Sequence, residues 1–105
     1  MLDDGEKSIA VKDKDGENAL TLNLTSGELT LKAKSKITLQ AGSNATITLD
    51  GSSGAVTING QSKLELKSTQ INAEAQAQCT LKASGQMSVE SSGVTQVKGS
   101  MVKIN

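Results

Sequence analysis

Residues 29–50 decide the fold and read LTLKAKSKITLQAGSNATITLD. Apolar and polar side chains alternate in three short runs, which begin at Leu29, Ile37 and Ala45, and small polar residues separate the runs. Alternation with a period of two is typical of a β-strand that has one apolar face and one wet face. The stretch lacks the i, i+3, i+4 spacing of apolar residues that an amphipathic helix requires.

The same pattern extends to the C-terminus in steps of about eight residues. The strand starts are residues 29, 37, 45, 55, 64, 71, 79, 87, 94 and 101. Most steps end in small polar residues such as Gly, Ser and Asn, which favour turns. Hairpin tips often carry Asp-Gly or Asn-Gly, and Asp50-Gly51 and Asn59-Gly60 are candidates, but most turns between the steps lack such a pair. We therefore expect sides of a triangular β-helix rather than a meander of hairpins.

The composition indicates a core that is shared between chains. The 105 residues include no Phe, Trp, Tyr, Pro, His or Arg, and Leu, Ile and Val together number 23. Aromatic side chains bury roughly 150–250 Å² each in an ordinary core, so one copy has little material for a core of its own. The sequence predicts an all-β fold in which three identical chains intertwine over residues 20–105 as a triple-stranded β-helix, a β-prism with octad repeats. Residues 1–19 are predicted to form a partly ordered linker segment.

The phase of the alternation predicts which side chains face the axis of this homotrimer. These are apolar residues, including Met87 and the thiol of Cys79, that alternate with polar residues along each strand. The predicted trimer core is Leu29, Leu31, Ile37, Leu39, Ile47, Leu49, Val56, Ile58, Leu64, Leu66, Ile71, Cys79, Leu81, Met87, Val89, Val102 and Ile104.

Few residues suit catalysis or ligand binding. Because the chain has no His, Cys79 cannot form a Cys–His pair, and its phase matches that of Leu81, so we expect a buried structural thiol. The acidic run from Asp13 to Glu17 lacks the ligand spacing of an EF-hand and is interpreted as a solvated turn. We expect no catalytic residue, no cofactor, no metal site and no enzymatic activity.

The charges exclude further classes of function. The net charge is zero, with acidic residues in excess in residues 1–28 and Lys in excess beyond them. We interpret both parts as solvated faces, since nucleic-acid binding usually employs Arg and stacking aromatics. The first residues, MLDDGEKS, lack the apolar segment of a secretion signal, and no stretch is apolar enough to predict a membrane span.

Three parts of the sequence resemble a known family. Steps of the type LTLKA and ITLQAG, the terminal Gly99-Ser-Met-Val-Lys-Ile-Asn105, and the stretch from Ile9 to Leu24 are similar to the C-terminal β-helix of VgrG-type spike proteins. These proteins occur in type VI secretion systems, phage baseplates and extracellular contractile particles. The resemblance covers residues 9–105. It implies a homotrimeric needle that sheath contraction drives through a target envelope.

The resemblance also implies partners and a location. A PAAR-type tip protein would bind the C-terminal end, at Gly99, Ser100, Met101, Val102, Lys103, Ile104 and Asn105. An upstream hub and inner tube would hold the other end, and the target membrane would be contacted transiently. The particle would assemble in the bacterial cytoplasm and then be secreted or form part of a virion. The family's OB-fold and hub domains are not in this sequence, which implies either a fragment or a stand-alone needle. No His-x-His occurs near the end, so no iron site is implied there.

A second interpretation stays open. The chain would then be the trimeric stem, or a receptor-binding segment, of a phage tail fibre or tailspike that recognises polysaccharide. Such sites usually stack sugars on exposed aromatic rings, and this sequence has none.

Overall fold

The computed structural model describes residues 7–105, which contain six β-strands and no helix. The strands are β1 (Ser8–Lys12), β2 (Ala19–Asn23), β3 (Glu28–Lys32), β4 (Lys36–Ala41), β5 (Ala45–Asp50) and β6 (Ala55–Gly60). The chain comprises two compact units, one that ends at Lys67 and one formed by Ser68–Asn105. The predicted all-β class is confirmed. Without a helix, the described residues offer no α-helical segment long enough to cross a membrane.

The strands form two antiparallel sheets of three strands each. In the first sheet, with the order β1-β2-β3, Ile9 lies opposite Leu22, which lies opposite Leu29. In the second sheet, with the order β4-β5-β6, Leu39 pairs with Ile47 and Ile47 with Ile58. Residues opposite one another point to the same face of a sheet, so the registers align the alternating patterns of all three strands. Each sheet therefore has one apolar face and one largely polar face.

Two of the turns are built from the same elements. The carboxamide oxygen of Asn23 accepts hydrogen bonds from the backbone N–H groups of Thr25 (3.0 Å) and Ser26 (3.1 Å), and Gly27 closes the turn with φ of +74°. Asp50 has the equivalent role, because its carboxylate accepts from the N–H groups of Ser52 and Ser53. Gly54 then adopts φ of +75°. An Asx side chain followed by glycine in the left-handed region is a recurrent way to reverse a chain.

The expectation that the octads would avoid hairpins is wrong for residues 8–60. All four strand pairs in this hairpin region are antiparallel neighbours in sequence. Of the two predicted hairpin tips, Asp50-Gly51 does begin a turn, whereas Asn59 and Gly60 lie at the end of β6. Strand β1 and its whole connection to β2 also lie within residues 1–19, which the sequence predicts to be a linker, and β1 pairs along its whole length with β2. Residues 1–6 lie outside the described part of the chain.

The chain beyond β6 is extended but forms no strand pair. We call residues 61–105 the bent region, because the backbone bends at residues 61–62, 69, 76–77, 84–85, 92–93 and 100–101. Successive bends are seven or eight residues apart, which is the step predicted from the sequence. Among the described residues, no backbone–backbone hydrogen bond involves positions 62–105. The strands predicted for Leu64 to Leu66, Ile71 to Ala83 and beyond are thus extended segments without partners in their own chain.

One chain has no buried core. None of residues 7–105 is buried, and every residue from Gly51 to Asn105 is exposed. Soluble monomers rarely leave contiguous apolar surface uncovered. The fold of the single chain therefore presents its aliphatic side chains for contact with something else.

Candidate functional site

The apolar face of the second sheet is the best-defined surface of the molecule. Its side chains come from alternate positions of three strands in exact cross-strand register, and all of them are aliphatic. They are Ile37, Leu39, Ala41, Ala45, Ile47, Leu49, Val56 and Ile58. Ile47, in the centre, remains 38% exposed, and Val56, on an edge strand, remains 63% exposed. The register thus brings six predicted core residues together on one face, but nothing in residues 7–105 covers them.

The first sheet has an equivalent apolar face, of which the sequence analysis identified only part. Leu29 and Leu31 on β3 were predicted core residues, and they lie opposite Leu22 and Leu20 on β2. Strand β1 completes the face with Ile9 and Val11. The alternation in Ile9-Ala-Val11 and Leu20-Thr-Leu22 was the signal for these additional residues.

The predicted core residues of the bent region do not meet within one chain. All of the predicted core residues that follow β6 are exposed. They are Leu64, Leu66, Ile71, Cys79, Leu81, Met87, Val89, Val102 and Ile104. Leu81 is 79% exposed and Ile104 is 87% exposed. Extended segments without neighbours cannot bury such side chains, so any core here has to be formed with other chains.

The predicted tip residues span the last bend, at residues 100–101, and the four residues that follow it. Residues 99–105 are all exposed, including the apolar side chains of Met101, Val102 and Ile104. Gly99 lies against the backbone of Met101, since a Cβ atom placed on it would approach the Met101 carbonyl oxygen to 3.2 Å.

The acidic run near the N-terminus forms a closed loop rather than an open ligand site. The Asp13 carboxylate accepts hydrogen bonds from the side-chain amide of Asn18 (2.6 Å) and from the backbone N–H of Glu17 (3.0 Å). These bonds, the Asn18 side-chain bond first, hold the pKa of Asp13 below its ordinary value of 3.8. The interpretation as a turn agrees with this geometry.

Asn18 also links this loop to the connection between the two sheets. Its side-chain oxygen accepts a hydrogen bond from the backbone N–H of Lys34 (3.0 Å). The Lys34 ammonium lies 3.6 Å from the Glu17 carboxylate, and both side chains are well exposed. The sequence analysis did not identify this junction, because its residues are separated by 16 positions.

The remaining candidate residues lie at the surface of the single chain. Cys79 is a free, exposed thiol in the single chain. Among residues 7–105, no three Cys, Asp or Glu side chains converge in a way that would hold a metal ion.

A small polar cleft lies at one end of the second sheet. Hydroxyl and amide side chains line it, and the backbone N–H of Gln61 donates to the carbonyl oxygen of Asn44 beside it. The lining residues are Ser43, Asn44, Thr46, Asn59 and Gln61. Such groups can donate and accept hydrogen bonds, which suits a hydroxyl-rich ligand, and nothing in the sequence analysis singled them out together.

Comparison of the chain with protein-family models, curated proteins and solved structures finds no match. A function therefore has to be inferred from the uncovered apolar faces, the regularly bent segments and the exposed C-terminal end.

Proposed function

We propose that the protein is the structural needle of a contractile injection machine, a homotrimeric spike that pierces a target envelope and has no catalytic activity of its own. The observation that carries the proposal is the absence of any buried residue in residues 7–105 of a chain whose apolar side chains are nevertheless aligned in register. A sheet with one fully apolar face needs a second layer to be stable in water. Identical copies supply that layer without requiring any other protein.

In the hairpin region, each copy would contribute one three-stranded sheet as one side of a triangular prism. The apolar faces of three such sheets would point to the common axis, and the polar faces would point to water. Short aliphatic side chains suit this arrangement, because a narrow axis leaves no space for aromatic rings. The Lys, Thr, Gln and Asn residues of the opposite faces of β4 to β6 suit the outside.

In the bent region, the three chains would wind around one another. A chain that bends every seven or eight residues turns from one side of a prism to the next at each bend. The unpaired backbone groups of each extended segment would then bond to segments of the two other chains. An unpaired backbone group and an exposed apolar side chain are both unfavourable. Winding of three chains would provide partners for both kinds of group in the bent region.

Such an assembly suits mechanical work. A chain that is wound between two others cannot leave without breaking the hydrogen bonds of its neighbours, so unfolding is slow and stability is kinetic. Closure of the prism also leaves no lateral strand edge that would invite aggregation. A rigid rod of this kind can transmit an axial force to a membrane.

The two ends of the rod would have different partners. Three copies of residues 99–105 would form a blunt end with exposed Met101, Val102 and Ile104, which suits a small PAAR-type tip protein. The hub and inner tube would attach at the N-terminal end. Assembly would take place in the bacterial cytoplasm, and the particle would then act outside the cell or as part of a virion.

The oligomeric mass tests this proposal. Multi-angle light scattering at micromolar concentration should give three times the chain mass, and the trimer should survive SDS until it is boiled. Electron microscopy should show a slender rod, and a PAAR-type protein should co-purify with the full chain but not with Ile104→Asp. A monomer in light scattering would contradict the proposal.

The polar cleft of the second sheet favours one alternative, a tail-fibre stem that binds polysaccharide. Ser43, Asn59 and Gln61 offer hydrogen-bonding groups to solvent, although no aromatic ring is present to stack a sugar. Binding to a glycan array that is lost in Asn59→Ala would support the stem over the needle. An array without binding, together with a tip protein that co-purifies, would support the needle.

A further inference from the structure

Charged side chains occur at a regular position in the bent region. Between Ser68 and Ser100 the chain has four charged residues, which are Glu74, Lys82, Glu90 and Lys98. They are spaced by eight residues, and their signs alternate. A solvated surface needs charge but needs no such order.

The bends of the backbone share this register. The backbone bends at residues 76–77, 84–85, 92–93 and 100–101, so each of the four charged residues comes two positions before a bend. The neighbours of Lys82 are Leu81 and Ala83, which have the phase of the predicted core. The charged side chains therefore lie on the face opposite the predicted core, which would point away from the axis of the trimer.

Within the part of the chain that the structure describes, these four charges form no ion pair. Among residues 7–105, the ion pairs join Lys34 to Glu17 and join Lys63 and Lys67 to Glu65. An extended chain advances roughly 3.3 Å per residue, so side chains eight residues apart are separated by on the order of 25 Å. A charge pair between successive segments thus has to form between different chains.

We propose that Glu74, Lys82, Glu90 and Lys98 form an inter-chain ladder of ion pairs that fixes the register of the wound trimer. The inference rests on the proposed three-chain winding. At each bend a chain moves to the next side of the prism. On any one side, each segment of a chain is therefore stacked against the following segment of another chain. Glu74 of one chain then lies beside Lys82 of a second chain, and that Lys82 lies beside Glu90 of the third.

The alternation of sign makes this register the favourable one. Neighbouring strands are about 4.7–4.9 Å apart, a distance at which opposite charges on adjacent strands stabilise a sheet and like charges destabilise it. A slip of one chain by one segment would place Glu beside Glu and Lys beside Lys. The apolar octads alone do not distinguish these registers, because successive segments present similar aliphatic residues to the axis.

Three variants of the full chain test the ladder. Lys82→Glu places one acidic side chain between Glu74 and Glu90, whereas Lys103→Glu makes the same change of charge outside the ladder. The third variant reverses all four charges (Glu74→Lys, Lys82→Glu, Glu90→Lys, Lys98→Glu) and so keeps the alternation. The rate of trimer dissociation in denaturant is measured for each variant at low salt and in 1 M NaCl.

The ladder predicts a pattern that a general loss of stability would not produce. Lys82→Glu should dissociate at least about tenfold faster than the wild type at low salt, and most of the difference should vanish in 1 M NaCl, where the screening length is about 3 Å. Lys103→Glu and the fourfold reversal should stay within about threefold of the wild type. If Lys82→Glu assembles only in high salt, that result supports the ladder as well.

The outcomes separate the ladder from the needle. A trimeric wild type with equal rates for Lys82→Glu and Lys103→Glu would overturn the ladder alone. A fourfold reversal as unstable as Lys82→Glu would do the same. A monomeric wild type would overturn both.

Discussion

Within one chain, the hairpin region and the bent region lack different kinds of contact. In residues 8–60, every strand pairs with at least one other strand, whereas the apolar faces of the two sheets and the outer edges of β1, β3, β4 and β6 have no partner in the described chain. In residues 62–105, no backbone–backbone hydrogen bond forms among the described residues, and every side chain is exposed. Unsatisfied backbone groups cost free energy in addition to exposed apolar surface. One copy of the bent region thus leaves more of its backbone without a partner than one copy of the hairpin region does.

The first prediction uses amide hydrogen exchange to compare the two regions directly. In the full chain at neutral pH, amides of residues 63–105 should be protected by at least roughly a thousandfold, as much as those of β4 to β6, because inter-chain bonds replace the missing ones. Mass spectrometry of peptides after timed exchange measures this. Protection that is confined to residues 8–60 would show that the bent region is not wound with other chains.

The second prediction places a charge on the axis of each region. Leu81→Asp and Ile47→Asp should each destabilise the trimer by roughly 3–5 kcal/mol per chain, since a buried carboxylate without a partner is costly. The adjacent outward positions provide matched controls, and Thr80→Asp and Thr48→Asp should change stability by about 1 kcal/mol or less. Denaturant unfolding monitored by light scattering compares the four variants. Equal effects at neighbouring positions would show that these faces stay in contact with water.

The third prediction compares the corners. Gly54→Ala should cost about 1–2 kcal/mol per chain, because φ at this turn is +75° and an L-residue is strained there. Gly85 lies at a bend of the other region without a positive φ and with nothing within 4 Å of the position of an added Cβ in its own chain. Gly85→Ala should therefore change stability by no more than about 0.5 kcal/mol. Thermal unfolding measures the stability of both variants. If Gly85→Ala lowered stability more than Gly54→Ala, the proposed difference between turns that reverse the chain and bends that do not would be contradicted.

The sequence predicts the strands and their faces well, but not how the strands connect. Alternation in residues 29–50 was enough to assign the apolar face of β4 and β5, because the period of two is a local property. The hairpins were missed because the step length was taken as the deciding signal. The better signal was Asn23 and Asp50, because their side chains accept backbone hydrogen bonds within the turns that end at Gly27 and Gly54.

The same signal explains where the hairpins end. After Gly60 the chain has no Asp, and its Asn residues are Asn72 and Asn105. The bends at residues 84–85 and 92–93 use Ser-Gly without a preceding Asx residue, so the chain changes direction but does not reverse. Partners of a bent chain cannot be predicted from local residues, because their contacts depend on the symmetry of the assembly.

The fourth prediction has the smallest effect and concerns a contact that needs no second copy. The pKa of Asp13 should lie below 3.8 in an NMR titration, and Asn18→Ala should raise it towards that value, since the Asn18 amide is the main cause of the shift. Asn44→Ala removes an amide from another loop and should leave this pKa unchanged. A depressed pKa in the folded state means that Asp13 adds stability above about pH 3.8 and loses it as the pH falls through the folded value. This gain in stability is small because the carboxylate is solvated. The Asp13 pKa should not vary with protein concentration. Protection of residues 63–105 from hydrogen exchange, in contrast, should fall on dilution below the trimer's dissociation constant. An Asp13 pKa that changed with dilution would show that the loop, too, is completed by another chain.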